Sequence, residues 1–387
     1  MQNRRTRVRP AGGIQERVAG GVAQFRLAPQ LSGGLQSEMQ GHHRFTEVTQ
    51  PLIRRQFCQL GASVLLGLVA ACQAVERPPV PRRMSARSDR GGIELLNGTD
   101  LFASVRVGNS ERMSVNRLRS LNGVDVLRGF PLQPRVGESV DHPEQTGVWF
   151  GHRTMNGSDL WFGDGGGVVR EHTLKIDSET SASMVAQIDW TNSAGARVCQ
   201  EQRRLKFELD GSLLLLDIDM SITAPPEGLV FGDVREGFLA ARLADHFQAR
   251  AGGTVIGPTR PGGAAPGTVP AGAPSPDRWA DRWADFQGER ARWIASVSSV
   301  ASGERATVCF LEDPRNPGHP NRWQVRPYGL ISANPFARGA FTDDPRDDVP
   351  VIVDSYGGLR LRYRIVVSPG ALTPAEVSTL WEDYARP

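Results

Sequence analysis

Lysine is almost missing from this chain of 387 residues, in which Lys175 and Lys206 are the only two. Arginine supplies the other positive charges, and nine arginines against three glutamates give residues 1–71 a balance of +6. Because the whole chain carries +3, the remainder is slightly acidic, at about −3. The sequence therefore predicts neither a basic nucleic-acid-binding surface nor a nucleic-acid partner.

Cysteine is also scarce, with four in the chain. Cys58 and Cys72 lie in the opening segment, whereas Cys199 and Cys309 lie in strand-like sequence of the body. In an oxidising compartment the second pair can form one disulfide. Two separate buried thiols are the alternative, because free cysteine packs well in protein cores.

No apolar run approaches the roughly 20 residues that a membrane-spanning helix needs. The uncharged segment 59–71 follows Arg54 and Arg55, which matches the charged and apolar regions of a signal peptide. It ends in Ala70-Ala71-Cys72, which resembles the lipobox of bacterial lipoproteins, and the arginine pair resembles a twin-arginine export signal. We therefore expect an exported lipoprotein, anchored to the membrane only through lipid on Cys72 and facing the periplasm or the cell surface. A buried helix of the fold is the alternative.

The domain organisation follows from this interpretation. Residues 1–51 show no sustained hydrophobic periodicity. We expect either that this segment is disordered or that the true translation start is Met39. A Gly- and Pro-rich insert predicts a mobile surface loop. The predicted segments are the signal peptide at 52–72, a Pro/Arg-rich tether at 73–91, and a single domain at 92–387 that contains the insert at 252–276.

Period-two hydrophobicity dominates the body. In 213–223 (LLLLDIDMSIT) and 359–367 (LRLRYRIVV), apolar and polar residues alternate, which is typical of strands with one buried face. Thr373, Pro374 and Glu376 form a capping-box pattern that predicts a helix near the C-terminus. The expected fold is all-β, a large antiparallel β-sandwich with one short C-terminal helix.

Three stretches are dense in residues that carry chemistry. Residues 141–167 combine aromatic, histidine, acidic and amide side chains with glycine turns, which suits a sugar or another polar ring. A loop-rich corner with satisfied polar groups is the alternative. Residues 230–244 contain Asp233 and Glu236, and a glutamate is a candidate base where it faces a pocket. Residues 310–336 form a Pro- and Asn-rich loop with four polar candidates, His319, Arg326, Tyr328 and Asn334.

Motifs for other chemistries are missing. His142, His152, His172 and His319 show no HExxH spacing, so no metal site and no cofactor are predicted, with a divalent metal as the alternative. No G-x-S-x-G nucleophile motif and no phosphate-binding loop occur.

Together the three stretches resemble a bacterial family catalogued as "methane oxygenase PmoA" and more recently treated as a domain of unknown function. The segments that carry the resemblance are HPEQTGVWFGHRTMNGSDLWF, FGDVREGFL, WADFQG, LEDPRNPGHPNRWQVRPYGLISANPF and LRYRIVVSPG, in that order over about residues 92–385. The resemblance implies a sandwich similar to galactose mutarotase-like proteins and, by association, a carbohydrate-related role. It also marks three departures, because Asp313, Gln324 and Ser368 stand where the family has histidine.

The leading hypothesis is therefore acid–base chemistry on a carbohydrate: hydrolysis, elimination or epimerisation. A non-catalytic glycan-binding or envelope protein is the alternative, and a metal-dependent oxygenase a distant third. The catalytic candidates are His152, Glu236 and Asp233. The predicted substrate-binding residues are Trp149 and Trp161 as stacking walls, Arg326 and Tyr328 at developing negative charge, and Asn156, Asp159 and Asn334.

Overall fold

The computed structural model describes residues 83–88, 91–108, 112–162, 165–258, 283, 286–342 and 344–386. Within these residues the chain forms two eight-stranded sheets, and every strand pair is antiparallel. Side chains of both sheets meet in one large apolar core. The predicted all-β sandwich is thus confirmed.

The strands fall into two sheets and one small ribbon. Sheet I contains β1 (Met84–Ser88), β2 (Gly92–Asn97), β3 (Asp100–Arg106), β4 (Ser114–Leu118), β5 (Val148–His152), β11 (Gly237–Arg242), β15 (Arg322–Arg326) and β16 (Leu330–Asn334), in the spatial order β1-β2-β3-β4-β5-β11-β16-β15. Sheet II contains β6 (Gly166–Ser178), β7 (Ser181–Thr191), β8 (Arg197–Asp210), β9 (Leu213–Thr223), β12 (Thr254–Ile256), β13 (Trp293–Ser299), β14 (Arg305–Glu312) and β18 (Gly358–Pro369), in the order β12-β13-β14-β18-β9-β8-β7-β6. The ribbon pairs β10 (Leu229–Phe231) with β17 (Val351–Val353).

The period-two segments occupy the centre of sheet II. Alternate residues of β9 and β18, such as Met220 and Leu361, are paired and fully buried in the core. The polar residues between them face outward, where Arg364 binds Asp217 at 2.5 Å. The alternation of apolar and polar residues therefore corresponds to strands with one buried face and one charged face, as predicted.

The described helices are short: α1 (Gly339–Thr342) and α2 (Pro374–Ala385). Thr373 caps α2 and Glu376 completes the capping box, which confirms that prediction. Val377 and Trp381 of α2 pack on the outer face of sheet II, and Trp381 Nε1 donates to the Glu312 carbonyl at 2.8 Å. No helix of the described part of the chain is long and apolar enough to cross a membrane.

Two predicted linkers contain strands, which corrects their boundaries. β1 lies inside the expected tether 73–91 and pairs with β2 at the edge of sheet I. β12 lies inside the expected insert 252–276 and pairs with β13 at the edge of sheet II. The rest of that insert from residue 259 onward, and everything before residue 83, lie outside the described residues. The predicted start, signal peptide and Cys72 anchor therefore stay predictions.

Of the two alternatives for Cys199 and Cys309, a disulfide or two separate buried thiols, the structure shows the second. Cys199 and Cys309 are both free and buried. Cys199 is on β8 and Cys309 on β14, with β9 and β18 between them. Because neighbouring strands lie about 4.8 Å apart, three strand spacings exceed the roughly 7 Å limit for bridged Cα atoms. Burial raises the pKa of both thiols far above its usual value.

Candidate functional site

The outer face of sheet I carries a small apolar cluster that is separate from the main core. Trp149 of β5 pairs with Ala240 of β11, and both pack with Trp161 and Leu330. Residues opposed in an antiparallel pair share a face, and their neighbours along each strand face the core. This cluster forms a floor on which the connecting loops can build a site.

Tyr328 stands at the edge of this floor, in the turn between β15 and β16. Its half-buried ring packs against the cluster and lies 4.5 Å from the guanidinium carbon of Arg242. Burial raises the pKa of the Tyr328 hydroxyl, with Gln145 and Arg242 opposing the shift, so the hydroxyl stays protonated at neutral pH. Beside the ring opens a cleft of about 640 Å³, here called the Tyr328 cleft. Its lining residues are Ser139, Val140, Asp141, Arg242, Gln248, Ala249, Arg250, Pro327 and Tyr328.

Two fully buried arginines anchor the loop that forms one wall of the cleft. Arg242 and Arg128 both donate to Asp141 Oδ1, at 2.7 and 2.8 Å. Arg242 also donates to Gln145 Oε1 at 2.8 Å. Burial raises the pKa of the Asp141 carboxyl, but the two guanidinium groups outweigh burial and leave it below its usual value. Asp141 is therefore an anion whose charge is already compensated.

His142 lies next to this cleft, against Tyr328, which is one of its lining residues. Its side chain is 40% exposed, and its ring stacks on Tyr328 with centroids 5.1 Å apart and planes 19° apart. Nδ1 lies 3.1 Å from Glu144 Oε1, and Nε2 lies 4.0 Å from Asp141 Oδ2. The backbone of His142 has φ 45°, a conformation that costs about 1–3 kcal/mol outside glycine and clusters at functional sites.

Buried polar atoms without partners lie under the same loop. Within the described residues, Arg112 Nη1, Ser114 Oγ and Trp149 Nε1 have no hydrogen-bond partner. Arg112 uses its other amine on the Trp161 carbonyl at 3.1 Å, and burial lowers its pKa to about 10 while Glu144 and Asp159 oppose that shift. Ser114 and Trp149 are register partners on β4 and β5. These donors give the floor a polar component.

His152, the leading catalytic candidate, has no access to this site. The ring is fully buried and lies edge-on to Phe231 and Phe336. Nε2 donates to the Gly232 carbonyl at 2.9 Å, and burial lowers the pKa to about 4. Nδ1 faces Gly237, where any side chain would overlap it. His152 is therefore a neutral core residue and cannot exchange protons with a ligand in this conformation.

Glu236 and Asp159 lie together, but in a surface ion cluster. Arg153 bridges them, with 3.6 Å to Glu236 and 3.8 Å to Asp159. The Glu236 side chain is 23% exposed, and Asp159 Oδ1 accepts the backbone N–H groups of Trp161 and Phe162. This is the arrangement expected of a solvated charge pair beside a turn rather than of a general base in a pocket.

Three other candidates support backbone turns. Asp233 accepts N–H groups from residues 338, 339 and 340 at 2.7–3.1 Å and so fixes the start of α1. Asn156 exchanges hydrogen bonds with the backbone of Gly228 and Val230. Asn334 is buried and bonds four backbone groups around residues 234–235 and 336–337. Their polar atoms are occupied within the fold.

Trp149 and Trp161, the predicted stacking walls, are buried, with exposed fractions of 0% and 1%. They contact each other at 5.3 Å between ring centroids and shape the floor, but they present no open ring face.

Arg326 lies beside the site, although it is not one of the residues that line the cleft. It is half-buried on the same outer face, next to Tyr328, whose pKa its charge lowers. The structure thus brings Arg326 and Tyr328 together and separates them from His152, Glu236 and Asp233.

His172 and His319, the other two candidate metal ligands, form no metal site within the described residues. In the described part of the chain, no group of three His, Cys, Asp or Glu side chains lies close enough to hold a metal ion. His319 pairs with buried Glu312 at 3.4 Å and stacks on Trp381, while His172 is exposed on β6.

Sequence reasoning missed most of the cleft. The sequence indicates His142 only as a candidate metal ligand, and it does not indicate Arg112, Arg128, Glu144 or Arg242. The pattern HPEQTG, with a charged side chain two residues after histidine, was the available signal for the His142–Glu144 pair. The arginines gave none, since their partners lie 13 to 101 residues away in the chain, beyond the reach of a local pattern.

Comparison with known families corrects the resemblance drawn from the motifs. A model of a family of unknown function (DUF6807) matches residues 108–382. No match to a methane oxygenase family accompanies it, so the PmoA assignment is wrong. No curated protein sequence matches the chain significantly.

Solved structures similar to the chain include three bacterial proteins. A galactose mutarotase-like protein from Lactobacillus casei is 8% identical over 74% of this chain and 100% of its own, with a TM-score of 0.32. A galactose mutarotase related enzyme from Lactobacillus acidophilus is 10% identical over 75% and 98%, with a TM-score of 0.27. The Slr1438 protein from Synechocystis is 11% identical over 76% and 99%, with a TM-score of 0.36. At these TM-scores the similarities carry no conclusion about ligand or activity.

Proposed function

The chain belongs to DUF6807, a family of unknown function, and we propose that it binds a carbohydrate in the Tyr328 cleft and exchanges protons with it through His142. One observation carries the proposal. His142 is a partly exposed imidazole that pairs with Glu144, has a strained backbone conformation and stacks on Tyr328, which lines the cleft. A strained residue persists only where its surroundings enforce it, and such residues concentrate at ligand sites.

A sugar suits the lining of the cleft. Val140, Ala249 and Pro327 offer apolar surface, and the half-buried Tyr328 offers a hydroxyl for hydrogen bonding. Small polar ligands bind in such concave sites, where apolar walls exclude water and a few polar groups fix orientation. The cleft volume of about 640 Å³ is within the range of small-ligand sites.

Proton transfer follows from the orientation of His142. Glu144 accepts from Nδ1–H, so the neutral ring carries its lone pair on Nε2. That nitrogen acts as a base toward a ligand and, once protonated, as an acid. The nearby Tyr328 hydroxyl is kept protonated by its raised pKa and can donate a hydrogen bond to a ligand oxygen.

The test is turnover and binding measured together for His142→Gln. A panel of mono- and oligosaccharides is first screened by proton NMR for binding and for conversion. We expect the variant to lose about 100-fold or more in turnover, since general acid–base groups contribute roughly that much. His172→Gln is the matched control, because His172 is exposed on β6 and outside the cleft. Equal turnover in wild type and His142→Gln would refute the proton-transfer role.

Binding without turnover is the second candidate. Its support is that the carboxylates of the site are already engaged, Asp141 by two arginines and Glu144 by His142. The same screen separates the two functions, since a glycan-binding protein would show affinity for a sugar and no product. Loss of affinity in Tyr328→Ala would then locate the binding site.

We also propose export as a lipoprotein, on the sequence of residues 54–72 alone. Mass spectrometry of the mature protein should find an N-terminal lipidated Cys72. An unlipidated chain that retains residues 1–50 would refute it.

A further inference from the structure

We infer that the ligand of the Tyr328 cleft is an acidic sugar, whose carboxylate or sulfate group is held by Arg326. This inference rests on the proposed function and specifies its substrate class. It comes from the charges around the cleft, where, among the described residues, most arginines pair with a carboxylate or a carbonyl and Arg326 does not.

Arg326 is the uncompensated group. Its register partner on β16 is Leu330, and Leu330 pairs in turn with Arg242, so all three side chains lie on the outer face of sheet I. Among the described residues, no carboxylate or carbonyl pairs with the Arg326 guanidinium. An arginine that is half-buried and unpaired keeps all five N–H donors for a ligand.

The other arginines of the site are engaged by the protein. Arg128 and Arg242 share the single carboxylate of Asp141, and Arg112 binds backbone carbonyls beside Trp161. These four arginines, with Arg326 included, face three carboxylates, Asp141, Glu144 and Asp159, which leaves an excess of +1. Arg250 adds nothing to this excess, because it pairs with Asp245.

An anion on a sugar ring fits this excess. A guanidinium binds a carboxylate through two parallel hydrogen bonds, which are stronger than neutral ones. With the anionic group on Arg326, the ring of the sugar would lie beside Tyr328 and the exposed edge of His142. The excess charge would also attract acidic ligands over neutral ones of the same shape.

The experiment compares three probes of matched length on the full chain. These are a trigalacturonate, a sulfated galactose trisaccharide and a neutral galactose trisaccharide, each titrated by calorimetry. We expect at least one acidic probe to bind roughly tenfold or more tightly than the neutral one, and the advantage to shrink as salt rises. The tighter of the two acidic probes identifies the anion.

Arg326→Gln should remove this preference, with a loss of about 10- to 100-fold for the acidic probe and little change for the neutral one. Arg326→Lys should retain part of the preference for the acidic probe. Lysine keeps the positive charge but lacks the planar guanidinium that donates two parallel hydrogen bonds. Arg204→Gln, an exposed arginine on β8, is the control that should change neither. Circular dichroism melts check that each variant is folded.

Two results would overturn the inference. Neutral and acidic probes with equal affinity, or an acidic preference that survives in Arg326→Gln, would reject the acidic substrate and leave the proposed function standing. No binding of any sugar, charged or neutral, would reject both.

Discussion

Two histidines ten residues apart have opposite environments. His142 is 40% exposed on a loop and accessible to a ligand, whereas His152 ends β5 with no exposed surface. The side chain of β5 residue 152 points to the core because it shares the phase of Phe150 and Val148. The residue type alone makes both histidines candidates for proton transfer. Their burial distinguishes them, because a buried imidazole packs in the core and an exposed one can meet a ligand.

The burial of His152 makes stability depend on pH. Its folded pKa of about 4 lies below the ordinary 6.5, so the unfolded state binds a proton that the native state refuses. The contribution of His152 to the free energy of unfolding is fully present above pH 6.5. It is lost as the pH falls toward 4, and the total loss is up to about 3 kcal/mol. In His152→Gln this part of the loss should vanish, as measured by urea unfolding between pH 7 and pH 4. His172→Gln should keep the wild-type slope, and parallel slopes in all three proteins would contradict the assignment.

Among the elements, α2 was predicted from local residues alone. Thr373 Oγ1 accepts from the Glu376 N–H, and Glu376 Oε2 accepts from the Thr373 N–H at 2.7 Å. A cap acts through neighbours three residues apart, so the sequence contains all of its information. The strands of sheet II were predicted for a related reason, since alternation reports one buried face.

Thr373→Ala should lower the free energy of unfolding by about 1 kcal/mol, because the first turn loses a hydrogen-bond acceptor. Thr379→Ala, at an exposed position inside α2, should be neutral or slightly stabilising, since alanine favours helices. Chemical denaturation of both variants checks this. A larger loss in Thr379→Ala than in Thr373→Ala would contradict it.

The edge strands β1 and β12 escaped prediction. In MSARS only Met84 is buried, so the segment lacks the apolar alternation by which strands are recognised. β12 lies at the start of a Gly- and Pro-rich segment, and its three residues are too few to show a period. Both strands pair because a neighbouring strand offers free backbone groups, which is a property of the sheet and not of the segment.

At the scale of the whole molecule, a buried ion pair links the two sheets. Arg203 and Glu201 of β8 lie on the core face, and both are almost fully buried. Glu201 also accepts from Trp190 Nε1 at 2.7 Å. The Arg203 guanidinium carbon lies 4.1 Å from the ring of Phe150, which belongs to sheet I. The pair therefore depends on both sheets being in place.

Glu201→Gln should destabilise the protein by about 3–5 kcal/mol, because Arg203 would be left as an uncompensated buried charge. Glu208→Gln is the matched control on the same strand, since its pair with Lys206 is partly exposed and should cost less than about 1 kcal/mol. Thermal and urea unfolding measure both. Equal effects would show that burial is not the deciding factor.

The candidate site was harder to predict than the fold. Arg326 and Tyr328 were identified from their stretch; Tyr328 lines the cleft, and Arg326 lies beside it. Glu236, Asp233, Asn156 and Asn334 came from equally polar sequence, yet their atoms are engaged in ion pairs and turns. The sequence shows that a side chain is polar. Whether its hydrogen-bond donors and acceptors remain free for a ligand depends on the partners that the fold places around it.

The sequence by itself determined the all-β class, the central strands of sheet II and the capped C-terminal helix, because alternation and capping act between residues a few positions apart. Only the tertiary structure decided that Arg242 compensates Asp141, that His142 and not His152 stacks on Tyr328 beside the cleft, and that Cys199 and Cys309 are separated by two strands. Each of these depends on strand order and register between segments 100 or more residues apart in the chain. Those contacts form only when the two sheets close on their shared core.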